Sequence, residues 1–251
     1  MAYIDDYKML LKKQGKTQRD RHINYLRYDI GQYASSNPAY KQIEVDGNRM
    51  NVVVNSQNDY TIKEIVTMPG ERVPFGSIVT FSNAPWIVTS TDIDDEIYSR
   101  SMMYLCNCKL KWKGKDGIIY SYDGYAEDAT KYSEGVEATQ YLRIAEFQIK
   151  VKVHVDEISS LIMRDMRFVI DAEKYISNLV AENDRPFVFK VTRRNIITGT
   201  YADEGYVEIT LVQDQWVEGK DDYNLMVAAQ PYELKEPYPD KDPETEAKGW
   251  L

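Results

Sequence analysis

The sequence predicts a mainly β protein, built of barrel or sandwich modules, with a short N-terminal helical arm and an extended C-terminal tail. Three observations carry this. From about Val45 to Val212 the chain reads as at least eight short runs rich in β-branched and aromatic residues, separated by turn dipeptides, as barrels and sandwiches require. Residues 1–31 instead show apolar residues at three- and four-residue spacing. The run from Gln230 to Leu251 holds four of the nine prolines, which fix φ and lack an N–H, so it forms neither a regular helix nor an inner strand.

In chain order, Ile4, Tyr7, Leu10 and Leu11 mark a first helical piece that Gly15 stops. Thr17 is placed to cap a second, whose stripe of Ile23, Leu26 and Ile30 ends at Gly31. This arm, residues 1–37, carries seven Lys/Arg against four Asp/Glu. Its Tyr25, Tyr28 and Tyr33 are candidates for contact with a partner; the alternative is a helix lying on the protein's own sheet.

Asn37-Pro38 and Asp46-Gly47 then punctuate the chain. A first β module is expected over residues 38–135, with a Pro69-Gly70 turn, a hairpin closed around Ser82 to Pro85 and another turning at Gly114 to Gly117. A second is expected over 136–229. It opens with the cleanest alternation in the chain, in which Phe147, Ile149, Val151, Val153 and Val155 face one way and Gln148, Lys150, Lys152 and His154 the other. A short helix over "DEISSLIMRDM", a strand at "RFVID" and a final hairpin joined around Thr200 to Gly205 complete it. The tail, 230–251, offers Tyr232, Tyr238 and Trp250 for docking along a neighbouring subunit.

Composition narrows function. The formal charge is −9, which argues against a surface that grips phosphates throughout. No apolar run approaches the roughly 20 residues of a membrane span, and the N-terminus has the charges of a cytoplasmic protein where a signal peptide would be apolar. Neither a nucleophile elbow nor a phosphate-binding glycine loop occurs. Thr91 to Glu96 has the acids of a calcium loop without its central glycine or distal glutamate.

The two cysteines, Cys106 and Cys108, lie one residue apart. On a strand that spacing puts both on one side with Leu110 and Trp112, a packing face of inert thiols. Two cysteines and two histidines are too few and too scattered for a structural zinc site. No catalytic residue, metal or cofactor is expected, and the chain reads as a non-enzyme.

The succession "NPAYKQIEVDG", "IKEIVTMPGE", "FGSIVTFSNAPWIVTSTD", "IYSRSMMYLCNCKLKW", "DGIIYSYDGY" and "RFVIDA" resembles structural proteins of tailed bacteriophages of Gram-positive hosts, encoded near the head–tail junction genes. The similarity runs from about Pro38 to Leu211, anchored on Trp86-Ile87-Val88, on Cys106-Asn107 with Leu110-Lys111-Trp112, and on Arg167-Phe168 with Ile170-Asp171. The resemblance implies a virion protein made in the host cytoplasm, a ring-forming head–tail connector or head-closure (stopper) component. Its partners would be the portal or adaptor protein and tail proteins, with packaged DNA nearby but not bound by sequence. The helical arm, second module and tail exceed the small stoppers of that group, so a collar, decoration or tail component is the alternative. A further alternative is a barrel binding single-stranded nucleic acid, with Tyr104, Trp112, Tyr120, Tyr122 and Tyr125 stacking bases and Lys109, Lys111, Lys113 and Lys115 following the backbone. The plainer reading of those lysines is an edge strand protected by charge.

Overall fold

The computed structural model describes residues 4, 15–92, 96–128, 148–170, 187–222 and 224–234. These form a mainly β structure of two barrel-like sheets preceded by one helix. Except for Ile4, the first helical piece lies outside the described residues.

Helix α1 spans Gln18–Tyr33. Thr17 caps it reciprocally: its hydroxyl accepts from the Asp20 N–H at 3.1 Å, and its own N–H donates to the Asp20 carboxylate at 3.0 Å. The helix does not stop at Gly31, where the sequence placed its end, but runs on to Tyr33 and a 3-10 turn at Ala34–Ser36. The true stop is Pro38, which disfavours helical backbone at the residue before it; Asn37 is accordingly extended at ψ 128°.

The first barrel is built from β1 (Tyr40–Val45), β2 (Asn48–Ser56), β3 (Ile62–Thr67), β4 (Ile78–Phe81), β5 (Ala84–Thr91) and β6 (Arg100–Leu105). It closes in the order β1-β2-β3-β6-β5-β4. Asp46 and Gly47 both have positive φ, 46° and 82°, as do Ser82 and Asn83, 52° and 59°. Two such residues in succession form the turn whose twist matches an antiparallel hairpin, and they fix the pairs Val45 with Asn48 and Phe81 with Ala84. Asp46 also closes the barrel: its N–H donates to the Ile78 carbonyl and its carboxylate accepts from the Ile78 N–H. Ile43, Val52, Ile65, Val79, Trp86, Val88 and Met103 fill the interior. Ile87, between two core residues of β5, is also fully buried, because β5 lies against strands of the second sheet.

The second sheet runs β10-β11-β13-β9-β8-β7, from β7 (Cys108–Lys113), β8 (Ile119–Asp128), β9 (Gln148–His154), β10 (Arg167–Val169), β11 (Val188–Asn195) and β13 (Glu204–Asp214), with the two-residue β12 (Thr200–Tyr201) paired to β13. Its ends curl together, so that Trp112 of β7 meets Phe168 of β10 edge-on at 5.9 Å. The alternation read in β9 places Val151 and Val153 in the core with Val207, Ile209 and Leu211 of β13; Phe147 lies outside the described residues. In place of the expected short helix there is one 3-10 turn, Ser159–Leu161.

The change of module expected at residue 135 falls instead at Cys106 and Asn107. Both β7 and β8 belong to the second sheet. The reason is local: the Cys106 N–H donates back to Pro85 of the first barrel, while the Asn107 N–H donates to Gly124 and the Asn107 side chain holds both backbone groups of Ala126. Two residues thus suffice to pass from one sheet to the other.

The barrels meet closely. A Cβ on Gly76 would lie 1.8 Å from the Gly205 carbonyl oxygen, so the approach needs a glycine at 76, while a Cβ on Gly205 would meet Gly199 and Thr200 of its own barrel. Around them, Arg72 pairs with Glu204, Phe75 packs on Tyr206 with ring centroids 5.3 Å apart, and His154 Nδ1 lies 2.9 Å from the Gly76 carbonyl oxygen. A carbonyl only accepts, so His154 carries its proton on Nδ1. Lys152 sits among the rings of Tyr104, Tyr125 and Tyr206, 5.7 to 5.9 Å from each centroid, and pairs with Glu127 at 3.4 Å. The polar face of β9 is therefore an inter-barrel face.

Candidate interaction site

Helix α1 has two faces. At about 100° per residue, Ile23, Leu26 and Ile30 share one side with Arg19 and Arg27. Those three apolar residues are half-buried, and both arginines reach Glu96: Arg19 Nη2 to its carboxylate at 2.8 Å, Arg27 Nε to its carbonyl at 2.9 Å. The other side carries Arg21, Tyr25 and Tyr28, with His22 at its edge, while Tyr33, seven residues after Leu26, lies in line with the apolar stripe at the helix end. Tyr25, Tyr28 and Tyr33 are 61%, 65% and 68% exposed, and no residue of the helix is fully buried. A cleft along this side is lined by Gln18, Arg21, His22, Tyr25 and Tyr28 among others. The arrangement can bind, since Tyr and Arg supply large contact area with polar tips.

Of the tail, only residues up to 234 are described, so Tyr238 and Trp250 lie outside the described residues. The tail's first residues dock on their own chain. The Tyr232 hydroxyl donates to the Lys113 carbonyl, Lys115 lies 5.9 Å from the Tyr232 ring centroid, and Glu233 approaches Lys113 at 3.9 Å. Gln230, expected to begin the free tail, is fully buried: its amide accepts from the Arg167 N–H at 3.2 Å and donates to the Arg167 carbonyl at 2.7 Å.

Arg167 itself is the polar centre that sequence reasoning missed. It is 2% exposed, yet its guanidinium is well provided: Nε donates to Asp214 at 2.8 Å, Nη1 to Asp221 at 2.8 Å and to the Ala229 carbonyl at 3.2 Å, and Nη2 to Asp221 and the Gln215 carbonyl. The Asp221 side chain is fully buried and also accepts from Val217 and Ala229 N–H groups at 2.7 Å. The cluster pins residues 214–230 across the end of the second barrel. Its partners lie 47 to 63 residues from Arg167, and no short motif announces them.

The cysteine face is only partly as expected. Cys108 packs against the core that holds Leu110 and Trp112, which are 0% and 2% exposed, and its thiol donates to the Gly124 carbonyl at 3.3 Å. Cys106 precedes the strand, at the crossing between barrels. Burial pushes both thiols up, that of Cys108 to about 12, with Asp123 adding to it.

The rings proposed to stack bases do not form a platform. Trp112 is in the core with Tyr120 and Tyr122 against it, Tyr104 and Tyr125 pack on each other at 4.9 Å, and the Tyr120 and Tyr122 hydroxyls bond Asp116 and Asp156. Lys113 and Lys115 turn to Glu233 and Tyr232. β7, which carries Lys109 and Lys111, is an end strand of the second sheet's hydrogen-bonded order. Among the described residues, no group of three or more His, Cys, Asp or Glu is placed to hold a metal, and no helix is long and apolar enough to cross a membrane.

No protein-family model and no curated protein matches this chain. Among solved structures it is similar to K. pneumonia MrkH in its apo state, at 11% identity over 84% of this chain and 90% of that one, with a TM-score of 0.23. The MrkH complex with c-di-GMP gives 12% identity over 75% and 86%, also at 0.23. TM-scores this low assign neither fold nor ligand.

Proposed function

We propose that this chain is a non-enzymatic virion structural protein of a tailed bacteriophage, a ring-forming subunit of the head–tail connector or head-closure type. The observation that carries the proposal is the exposed surface of α1, where three tyrosines are more than 60% exposed on a helix with no fully buried residue. The helix packs only partly on its own chain, and a subunit that reaches a neighbour has a use for the rings left exposed. The strand anchors of the phage resemblance support the same reading. So does the formal charge of −9, because a ring that DNA must pass should not hold phosphates. A collar, decoration or tail position is the variant of this reading that the same extensions suit.

The test is where the chain resides. Particles are purified, washed in high salt and analysed by quantitative mass spectrometry against the portal protein. A fixed copy ratio to portal is expected. Recovery from infected-cell lysate alone, never from washed particles, overturns the proposal; so does an assembled ring whose pore wall is dominated by Lys and Arg.

A further inference from the structure

The two ends of the chain leave different barrels. α1 leads into β1 of the first barrel and is tied at Glu96. The last 17 residues, 235–251, depart from the second barrel, where Gln230 and Tyr232 fix their origin. We propose that the outward face of α1 in one copy receives residues 235–251 of a second copy. This rests on the reading of the chain as a ring-forming subunit, and names the contact between subunits.

The sequence of the segment suits the face. All five of its acids, Glu236, Asp240, Asp242, Glu244 and Glu246, stand at even positions, and so do Tyr238 and Trp250. Its prolines, Pro237, Pro239 and Pro243, stand at odd positions. Laid out as an extended strand, residues two apart share a side, so one side carries five acids and two aromatic rings, with Lys248 its one basic residue. The prolines fall on the other side and keep the run from becoming a helix. α1 offers the complement: Arg21 and His22 with Tyr25 and Tyr28, following Lys16 at its start, with Asp29 as an acid on that side.

Lengths agree as well. From Tyr238 to Glu246 an extended chain covers about 26 Å, and the sixteen residues of α1 rise about 24 Å. Giver and receiver are different patches on different barrels, so the contact is either exchanged reciprocally by two copies or passed head-to-tail, and the ring-forming reading takes the second. Repeated, a head-to-tail contact closes a ring or runs on as a filament.

The test uses full-length chains with one new thiol each, and the parent chain treated alike shows any linkage through the half-buried native thiols. Gln32→Cys marks the outward side of α1 and Thr245→Cys marks the segment at an odd position. Mixed and treated with a short bismaleimide, the two chains are expected to give a mixed covalent dimer. Adding Arg21→Glu and Tyr25→Ala, both exposed and away from the barrels, should lower its yield about tenfold or more. Absence of the mixed dimer at every protein concentration overturns the proposal, as does a yield indifferent to those two changes. A doubly substituted chain that links only within itself also overturns it, showing the segment folded back on its own helix. If the mixed dimer forms but washed particles lack the chain, the virion reading fails and this contact stands; particles that hold the chain without the dimer give the converse.

Discussion

Arg167→Met probes the buried charge cluster directly. The substitution keeps an unbranched side chain of similar reach and removes five donors. Asp214, whose side chain is 32% exposed, can turn to water. Asp221 cannot: its side chain is fully buried, so it loses its counter-charge in place. Breaking such a pair costs about 3–5 kcal/mol. Asp221 keeps two backbone N–H donors at 2.7 Å, which points to the lower end, about 3 kcal/mol. With an m-value of about 2–3 kcal/mol per molar urea, the midpoint falls by about 1–1.5 M. Urea denaturation followed by tryptophan fluorescence reads this, since Trp112 lies in the affected barrel. Adding Asp221→Asn removes the stranded charge and should restore about 1 kcal/mol or more. A single variant within about 1 kcal/mol of the parent, or a double variant worse than the single, refutes the reasoning.

Other outcomes follow from the packing. Gly76→Ala drives a Cβ to 1.8 Å from the Gly205 carbonyl and should cost about 3 kcal/mol or more, while Gly117→Ala, with positive φ but open space, should cost about 1 kcal/mol; equal midpoints for the two would deny the close approach. In the native protein at pH 8.5, Cys108, with its thiol pushed up to about 12, should react with a disulfide reagent about a thousandfold more slowly than an unfolded thiol. Because that folded value lies above the unfolded one, its stabilisation is present below pH 9 and is lost as pH rises toward 12; fast labelling of both cysteines would reverse the assigned faces. Tyr122→Phe removes a 2.5 Å bond to Asp156 and should cost about 1–2 kcal/mol, read by calorimetry. Thr17→Ala should lower the helical circular-dichroism signal while leaving the barrels' urea midpoint where it was, since the helix it caps buries no residue.

What was legible in the sequence is what local rules decide. Asp46-Gly47 names its turn, Thr17 its cap, and the alternation around Val151 and Val153 its core face, each from neighbours a few residues away. The exposure of Tyr25 and Tyr28 was legible for the same reason: two large rings opposite an Ile–Leu–Ile stripe cannot share its burial. What failed depends on distant partners. Nothing near Asn107 says that β7 will pair with β8 in a new sheet, because the strands on either side alternate alike. The polar side of β9 reads as solvent-facing, whereas Lys152 and His154 find Tyr104 and Gly76, about 50 and 78 residues earlier. Gln230 reads as tail, and becomes core only because Arg167 offers it an N–H and a carbonyl.

The single crossing at Cys106 and Asn107 also sets an order of events during synthesis. The first barrel is complete in sequence by Leu105, so it can close while the rest is still being made, as contiguous units do. The second cannot finish until Gln230 arrives to meet Arg167. The run 214–230 that seals it finds its place only when β10 has already presented Arg167. A nascent or misfolded chain can therefore hold a closed first barrel while Arg167 and Asp221 still lie open to water, so the two barrels mature one after the other.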